Sequence, residues 1–234
     1  MSIDGHLQSH VNLDDPTDLF YDYVRRMGAV LNVIGLPGAP LTAVHLGAGG
    51  MTLPRYLQAT RPGSEQHVIE HRDGVVARVL ERLPLPAGSR VATRSGDAAV
   101  AATLLPPGVA GAVDVVVSDT YSGSPAAARL RSAGYYASLR SLLRPEGVLL
   151  VNVAVEQDLD SAREQARILG DTFGFVLLLT TSDVLAGGDG NIVLAATPSP
   201  TALPEDRLDR IRAAGPHPGA VLTGDELRAW SRPA

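Results

Sequence analysis

Three acidic residues and one glycine cluster have the types and spacing to do chemistry, and each sits where an apolar run gives out. Leu41 to Leu46 breaks into Gly47–Ala48–Gly49–Gly50–Met51, and a helical pattern starts near Leu53. A glycine-rich turn from a buried strand into a helix takes backbone angles that other residues resist, and it lets a ligand touch the main chain. Pro54 suits the first turn of that helix, where its missing N–H costs nothing. Glu70 closes the next apolar stretch, His67–Val68–Ile69. An acid about 20 positions after such a loop commonly accepts the hydroxyls of a nucleotide ribose. Asp97 and Asp119 end two further strands. Each acid has a plainer reading: Glu70 and Asp97 as helix caps, Asp119 as the organiser of a turn. Successive acidic strand ends beside one glycine loop describe a nucleoside-binding crevice.

Such a crevice needs a sheet whose carboxyl ends line up. The pattern predicts strands near 42–46, 67–70, 90–94, 113–118, 147–153, 174–180 and 191–196, and helices near 53–60, 73–83, 97–104, 134–143 and 160–171. Strands alternating with helices over short connections argue for an α/β fold with an open, doubly wound, mostly parallel sheet of seven strands. Ligands bind such sheets beyond the carboxyl ends, where the strand order reverses. Before the first core strand, residues 3–13 read as a short strand or hairpin, and Asp15–Pro16 reads as the cap and first residue of a helix running to Ile34. The expected organisation is a hairpin and helix over 1–40, a Rossmann-like domain over 41–197, and a helical tail over 198–234 packed on it. In the tail, Leu208, Ile211, Leu227 and Trp230 recur at helical spacing and offer apolar surface for assembly.

Composition narrows the classes. The 234 residues can bury a full core, and the apolar fraction of 45% is ordinary for a globular protein. No apolar stretch reaches the ~18–20 residues of a membrane span, and Met1–Ser2–Ile3–Asp4–Gly5 lacks the regions of a signal peptide. A cytoplasmic protein with no membrane partner is expected. The net charge of −5 and the lack of a long basic run argue against nucleic acid as a partner. Cysteine is absent, which excludes disulfides and thiol nucleophiles. All 20 basic residues are arginine, so lysine Schiff-base chemistry is excluded as well. The six histidines show no metal-ligand spacing, and no metal is expected.

Residues 4 to 196 resemble the spermidine synthases, the polyamine aminopropyltransferases, and more closely their short bacterial spermidine-synthase-like relatives. The family's glycine loop running into Thr-Leu-Pro-Arg is Gly47 to Arg55 here, its Val-Glu-Ile-Asp strand end is Ile69–Glu70–His71–Arg72, and its Gly-Asp-Ala element is Gly96–Asp97–Ala98. Asp119 opens Ser-Asp-Thr-Tyr-Ser-Gly, close to the relatives' Asp-Ala-Phe-Ser-Gly gate loop. Asp4–Gly5–His6–Leu7–Gln8 matches the N-terminal Asp-Gly-x-x-Gln, and a helix bearing Tyr21 and Tyr23 follows. Arg144 to Leu149 and Gly190 to Leu194 fit as well.

The resemblance implies a sheet of the class I S-adenosylmethionine-dependent methyltransferase type. It implies S-adenosylmethionine or its decarboxylated form as co-substrate, methylthioadenosine as product, and a homodimer. Glu70 would hold the ribose, Asp97 the adenine amino group and Gln8 the donor's aliphatic arm. Gly47, Gly49, Gly50 and Ala98 would complete the nucleoside contacts. Asp119 would take the proton of a small-molecule amine acceptor, with Tyr21, Tyr121 and Ser122 on the acceptor side. Three positions depart from the family: Arg72 replaces an acid, Met51 a loop glycine, and Ser122 the second aspartate that grips the far amine of putrescine. The implied reaction is therefore aminopropyl transfer to an amine other than putrescine. Methyl transfer from S-adenosylmethionine on the same sheet is an alternative, as is a catalytically silent nucleoside-binding or dimerisation protein.

Overall fold

The computed structural model describes residues 2–3, 6–7, 9–120, 125–156 and 158–232, with backbone alone at 2–3, 6–7 and 125–127. Two short strands, β1 (Ser2–Ile3) and β2 (His6–Leu7), pair antiparallel ahead of helix α1 (Asp22–Val33). The first core strand, β3 (Thr42–Leu46), passes through the glycine loop into α2 (Thr52–Thr60). Next come β4 (Glu65–Glu70), α3 (Val75–Arg82), β5 (Arg90–Ser95) and, after a 3₁₀ turn at Ala98–Val100, α4 (Ala101–Leu104). The chain continues through β6 (Val113–Ser118), a 3₁₀ stretch at Pro125–Arg131, α5 (Ala133–Leu142), β7 (Leu143–Val155) and α6 (Asp160–Phe173). It ends with β8 (Phe175–Thr180), α7 (Ser182–Leu185), β9 (Gly190–Thr197), α8 (Glu205–Ala214), β10 (Ala220–Thr223) and α9 (Gly224–Trp230).

The main sheet has eight strands in the order β10-β8-β9-β7-β6-β3-β4-β5. Strands β5, β4, β3, β6 and β7 run parallel, whereas β9 is antiparallel to β7 and β8, and β10 is antiparallel to β8. This is the doubly wound, Rossmann-like sheet of the class I methyltransferases, and its order reverses between β3 and β6. The count is eight and not seven because residues of the tail, Ala220↔Thr180 through Thr223↔Leu177, add an edge strand. That strand is four half-buried residues long, with no alternation to mark it.

Strand β6 shows why the sheet carries helices on both faces. Successive side chains of a strand point to opposite faces. Val115 and Val117 pack with α1, α2 and α8 residues such as Val30, Leu57 and Ile211, whereas Val116 packs with Tyr136, Leu139 and Leu169 on the other face. A parallel strand buried on both sides has no room for polar residues, hence its near-continuous valine run. The exception, Asp114, lies at the strand's amino end, where it accepts from Thr42 N at 2.7 Å and pairs with Arg144.

Two expectations change here. The first helix begins at Asp22, and Asp15 instead caps a turn through Thr17 N and Oγ1. Leu19 still reaches the core beside Gly28, which explains why it fits the apolar pattern without being helical. The tail residues Leu208, Ile211 and Leu227 are buried within their own chain, and Trp230 lies under Arg163 at 5.7 Å. Leu208, Ile211 and Leu227 are therefore closed to a partner, and of the four only Trp230 keeps some exposure. Among the described residues, no helix is long and apolar enough to cross a membrane.

Candidate active site

The registers Leu46↔Ile69, Leu46↔Ser118 and Glu70↔Ser95 align the carboxyl ends of β3, β4, β5 and β6 along one edge. Gly47 and Asp119 therefore meet where the strand order reverses, with Glu70 one strand and Asp97 two strands farther along the same edge. Gly47 has φ of +94°, and a Cβ there would lie 2.3 Å from the carbonyl oxygen of Asp119. Only glycine lets the two strand ends approach this closely. Gly49 also has a positive φ, +48°.

Met51 follows at φ +59°, fully buried against Val68, Val75 and Val79. The resemblance puts glycine at this position, and the left-handed backbone accounts for that preference. The methionine side chain extends into the core and so does not narrow the crevice.

Glu70 is more than a ligand candidate. Its Oε2 accepts from Ala48 N and its Oε1 from Arg72 N, both at 2.9 Å, and His71 Nδ1 lies 3.2 Å from Oε1. The carboxylate fastens the glycine loop to the end of β4 and does not cap α3, whose cap residue is Gly74. A carboxylate offers about four lone-pair sites, so Oε2 keeps one for a ribose hydroxyl, whereas Oε1 is already met by Arg72 N and His71. Glu70→Ala is expected to strand two loop N–H groups at about 1–3 kcal/mol each and to weaken nucleoside binding. Glu70→Gln, which retains one carbonyl acceptor, should lose less in a denaturant melt. Equal stability of the alanine variant and the parent protein would remove Glu70 from this fastening role.

The N-terminal segment reaches the same loop. Ser9 Oγ accepts from Gly50 N at 2.7 Å, and Thr52 Oγ1 donates to His10 O at 2.9 Å. Ser9 was not among the candidates, because a serine next to a histidine in a polar segment carries no signal of its own. Gln8 lies outside the described residues.

Asp97 caps the turn that begins at Ala98, accepting from Ala99 N at 2.9 Å, and its other oxygen pairs with the exposed Arg129. Ala98 is buried in the core, so only its backbone is placed to meet a ligand.

Asp119 is half-buried and held from two sides. Asn152 Nδ2 donates to Oδ1 at 2.8 Å, and Tyr23 Oη lies 3.4 Å from Oδ2. Asn152 Oδ1 in turn accepts from Asn191 Nδ2 at 3.0 Å. Burial pushes the Asp119 carboxyl above the usual carboxylate range, against the opposing pull of these hydrogen bonds. Burial and the neighbouring Asp119 charge likewise raise the Tyr23 phenol. Tyr21 stacks on Tyr23, centroids 6.2 Å apart, without touching Asp119 by hydrogen bond. Beyond Asn191 opens a hollow of about 650 Å³ lined by Ala154, Val155, Glu156, Asp189 and Gly190. Asn152 and Asn191 escaped the sequence reading, although an asparagine inside Leu149–Val155 is the signal that could have found one of them. Tyr121 and Ser122 lie outside the described residues.

Among the described histidines, His45 and His67 are buried and His10, His71 and His217 are exposed. His45 is buried on β3 with Nε2 3.0 Å from Gln66 Oε1, and burial lowers its pKa to about 4. Tyr135 and Tyr136 are core residues whose hydroxyls pair with Ser118 and Gln165.

No protein-family model and no curated protein matches the sequence. Solved structures do match the fold. A probable spermidine synthase from Corynebacterium glutamicum superposes with a TM-score of 0.81 at 22% identity, covering 98% of this chain and 84% of that one. Human methyltransferase-like protein 13, in complex with SAH, gives 0.63 at 18% identity and 91% coverage of both chains. A spermidine synthase in complex with the transition-state analogue AdoDATO gives 0.57 at 13% identity, and this chain spans 61% of its length.

Proposed function

We propose that the chain is a transferase that binds a sulfonium nucleoside across the β3–β6 crevice and alkylates an amine held at Asp119. The observation that carries this reading is the carboxylate of Asp119, half-buried, oriented by Asn152 and Tyr23, and in backbone contact with the nucleoside loop at Gly47. The glycine loop and the spare lone pair on Glu70 Oε2 suit a ribose, and Asp97 stands at the far end of the same edge.

A sulfonium donor, when bound, supplies a carbon already activated for displacement and departs as a neutral thioether. The protein's work is alignment and proton transfer. Asp119 accepts a hydrogen bond from the amine, so that the nitrogen lone pair faces the carbon under attack. As the new C–N bond forms and the C–S bond breaks, the surplus proton on nitrogen passes to a carboxylate oxygen of Asp119. Asn152 and Tyr23 fix that carboxylate and limit the energy lost in turning it. The acidic hollow beyond Asn191 favours an acceptor that carries positive charge.

Aminopropyl transfer is the finer reading, supported by the likeness to the Corynebacterium glutamicum structure over nearly the whole chain. Methyl transfer is favoured by a different observation, the likeness to human methyltransferase-like protein 13 over 91% of both chains. Parallel calorimetric titrations with S-adenosylmethionine, its decarboxylated form and methylthioadenosine, followed by mass spectrometry of an amine panel, separate them. A gain of an aminopropyl group from the decarboxylated donor supports the first reading, and a gain of a methyl group supports the second. Binding without turnover of any amine leaves the nucleoside site and removes the transferase.

A further inference from the structure

Three buried arginines in this chain are satisfied to very different degrees. Arg61 donates five hydrogen bonds to the carbonyl oxygens of Leu31, Ile34, Leu36 and Ala39. Arg55 donates to Leu83 O and Pro84 O, beyond the carboxyl end of α3, where the helix dipole favours a cation. Arg26, only 3% exposed, donates a single hydrogen bond, from Nη2 to Pro216 O at 3.2 Å. It forms no ion pair with any described carboxylate. Asp22, one turn earlier on α1, is exposed and acts on it only through space, and Arg25 opposes that pull.

The Arg26 guanidinium lines a cavity of about 260 Å³ between α1, α8 and the β8–β10 edge. Leu179, Ile211, Val221 and Pro216 supply its apolar walls. The backbone of Gly219 runs so close that a Cβ there would lie 3.0 Å from Arg26 Nη1. Arg212 also borders the cavity, but Glu205 and Asp209 already neutralise it. One unmatched positive charge therefore faces a space walled on its other sides by apolar side chains, the Gly215 and Gly219 backbone and the paired Arg212.

We infer that this cavity is a second binding site, separate from the crevice, for a small organic carboxylate. Burying a charge without a counter-charge is costly, and an anion on Arg26 removes that cost. The planar guanidinium matches a carboxylate through two parallel N–H bonds. The volume corresponds to about eight or nine waters at ~30 Å³ each, more than a carboxylate group alone fills. The apolar walls suit a hydrocarbon or ring body behind the head group. The cavity lies three strands from β6, about 14 Å by the usual strand spacing, and Arg26 follows Tyr23 by one turn of α1.

The test is titration of the full chain with sodium hexanoate, hexylamine and inorganic phosphate, read by calorimetry and by the thermal midpoint. Hexanoate should bind saturably at one site and raise the midpoint. Hexylamine should not bind there, and phosphate should bind at least tenfold more weakly. Arg26→Met should lose tenfold or more in hexanoate affinity while melting at or above the parent protein, because the unmatched charge is gone. Val221→Phe, which fills the cavity from β10 with Arg26 intact, should also weaken hexanoate tenfold. Asp119→Asn should leave hexanoate binding unchanged, which separates this site from the crevice. Absence of hexanoate binding, or affinity unchanged in both the Arg26 and Val221 variants, overturns the proposal. Phosphate binding as tightly as hexanoate overturns the assignment to an organic carboxylate.

Discussion

A Gly47→Val protein is expected to lose about 3–5 kcal/mol of stability, a fall of roughly 10 °C in melting temperature for a chain of this length. Two costs add. At φ +94° a β-branched residue is a backbone outlier. Its Cβ would also sit 2.3 Å from Asp119 O, a backbone atom that has no rotamer to yield. Neither strand end can back away cheaply, because Gly47 N donates to Ile69 O at 2.9 Å and Asp119 N to Leu46 O at 3.0 Å. Relief means parting β3 from β6 at their ends, which opens the crevice and displaces Asp119 with it. Nucleoside binding should therefore fail along with stability. Gly134→Ala is the matched control: its Cβ would meet nothing within 4 Å at the start of α5. It should be neutral or stabilising by about 0.5–1 kcal/mol. A Gly47→Val protein that melts with the parent would show that this contact does not hold the switch point together.

The same contact explains what was legible in the sequence. Gly47, Glu70 and Asp119 could be found because local pattern carries them: an apolar run must stop somewhere, and glycine is forced where the backbone turns left-handed. Asn152 and Asn191 could not be joined by that logic. They meet because β9 returns antiparallel beside β7, with Ala154 opposite Asn191, a pairing with no local signature. Arg26 gives no local signal of burial, since it adjoins Arg25 in α1 and only the packing of α1 shows that one of the two is exposed and the other buried. The start of α1 was misplaced for a related reason. Leu19 is buried by a non-helical segment, and burial periodicity alone does not distinguish the two. The double service of Glu70 was invisible as well, because a loop's need for a fastener depends on where its N–H groups point.

Asp119→Asn should lower turnover with any accepted amine by about 10²–10⁴-fold, the usual loss when a positioned proton acceptor is removed. Donor affinity should barely change, since the side-chain contacts of Asp119 run to Asn152 and Tyr23 and not to the glycine loop. The substitution is close to isosteric. The new amide oxygen can accept from Asn152 Nδ2, and the new amide N–H can donate to Tyr23 Oη, so only the O–H of Tyr23, a long contact at 3.4 Å, loses its acceptor. Stability should move the other way. The carboxyl of Asp119 is raised by burial, so the folded protein holds its proton more tightly than the unfolded chain does. Its contribution to stability is therefore greatest in acid and is lost as pH rises from the ordinary carboxylate value of about 3.9 through the raised one. At neutral pH the charged form is a net cost, and the asparagine variant should melt at or above the parent. Turnover in the parent protein should fall on acidification at a pH above the ordinary carboxylate range, because protonated Asp119 cannot accept the amine's proton. Loss of activity with melting temperature retained or raised is the pattern expected of a proton acceptor held in a costly state. An asparagine variant that turns over at the parent rate would remove Asp119 from the reaction altogether.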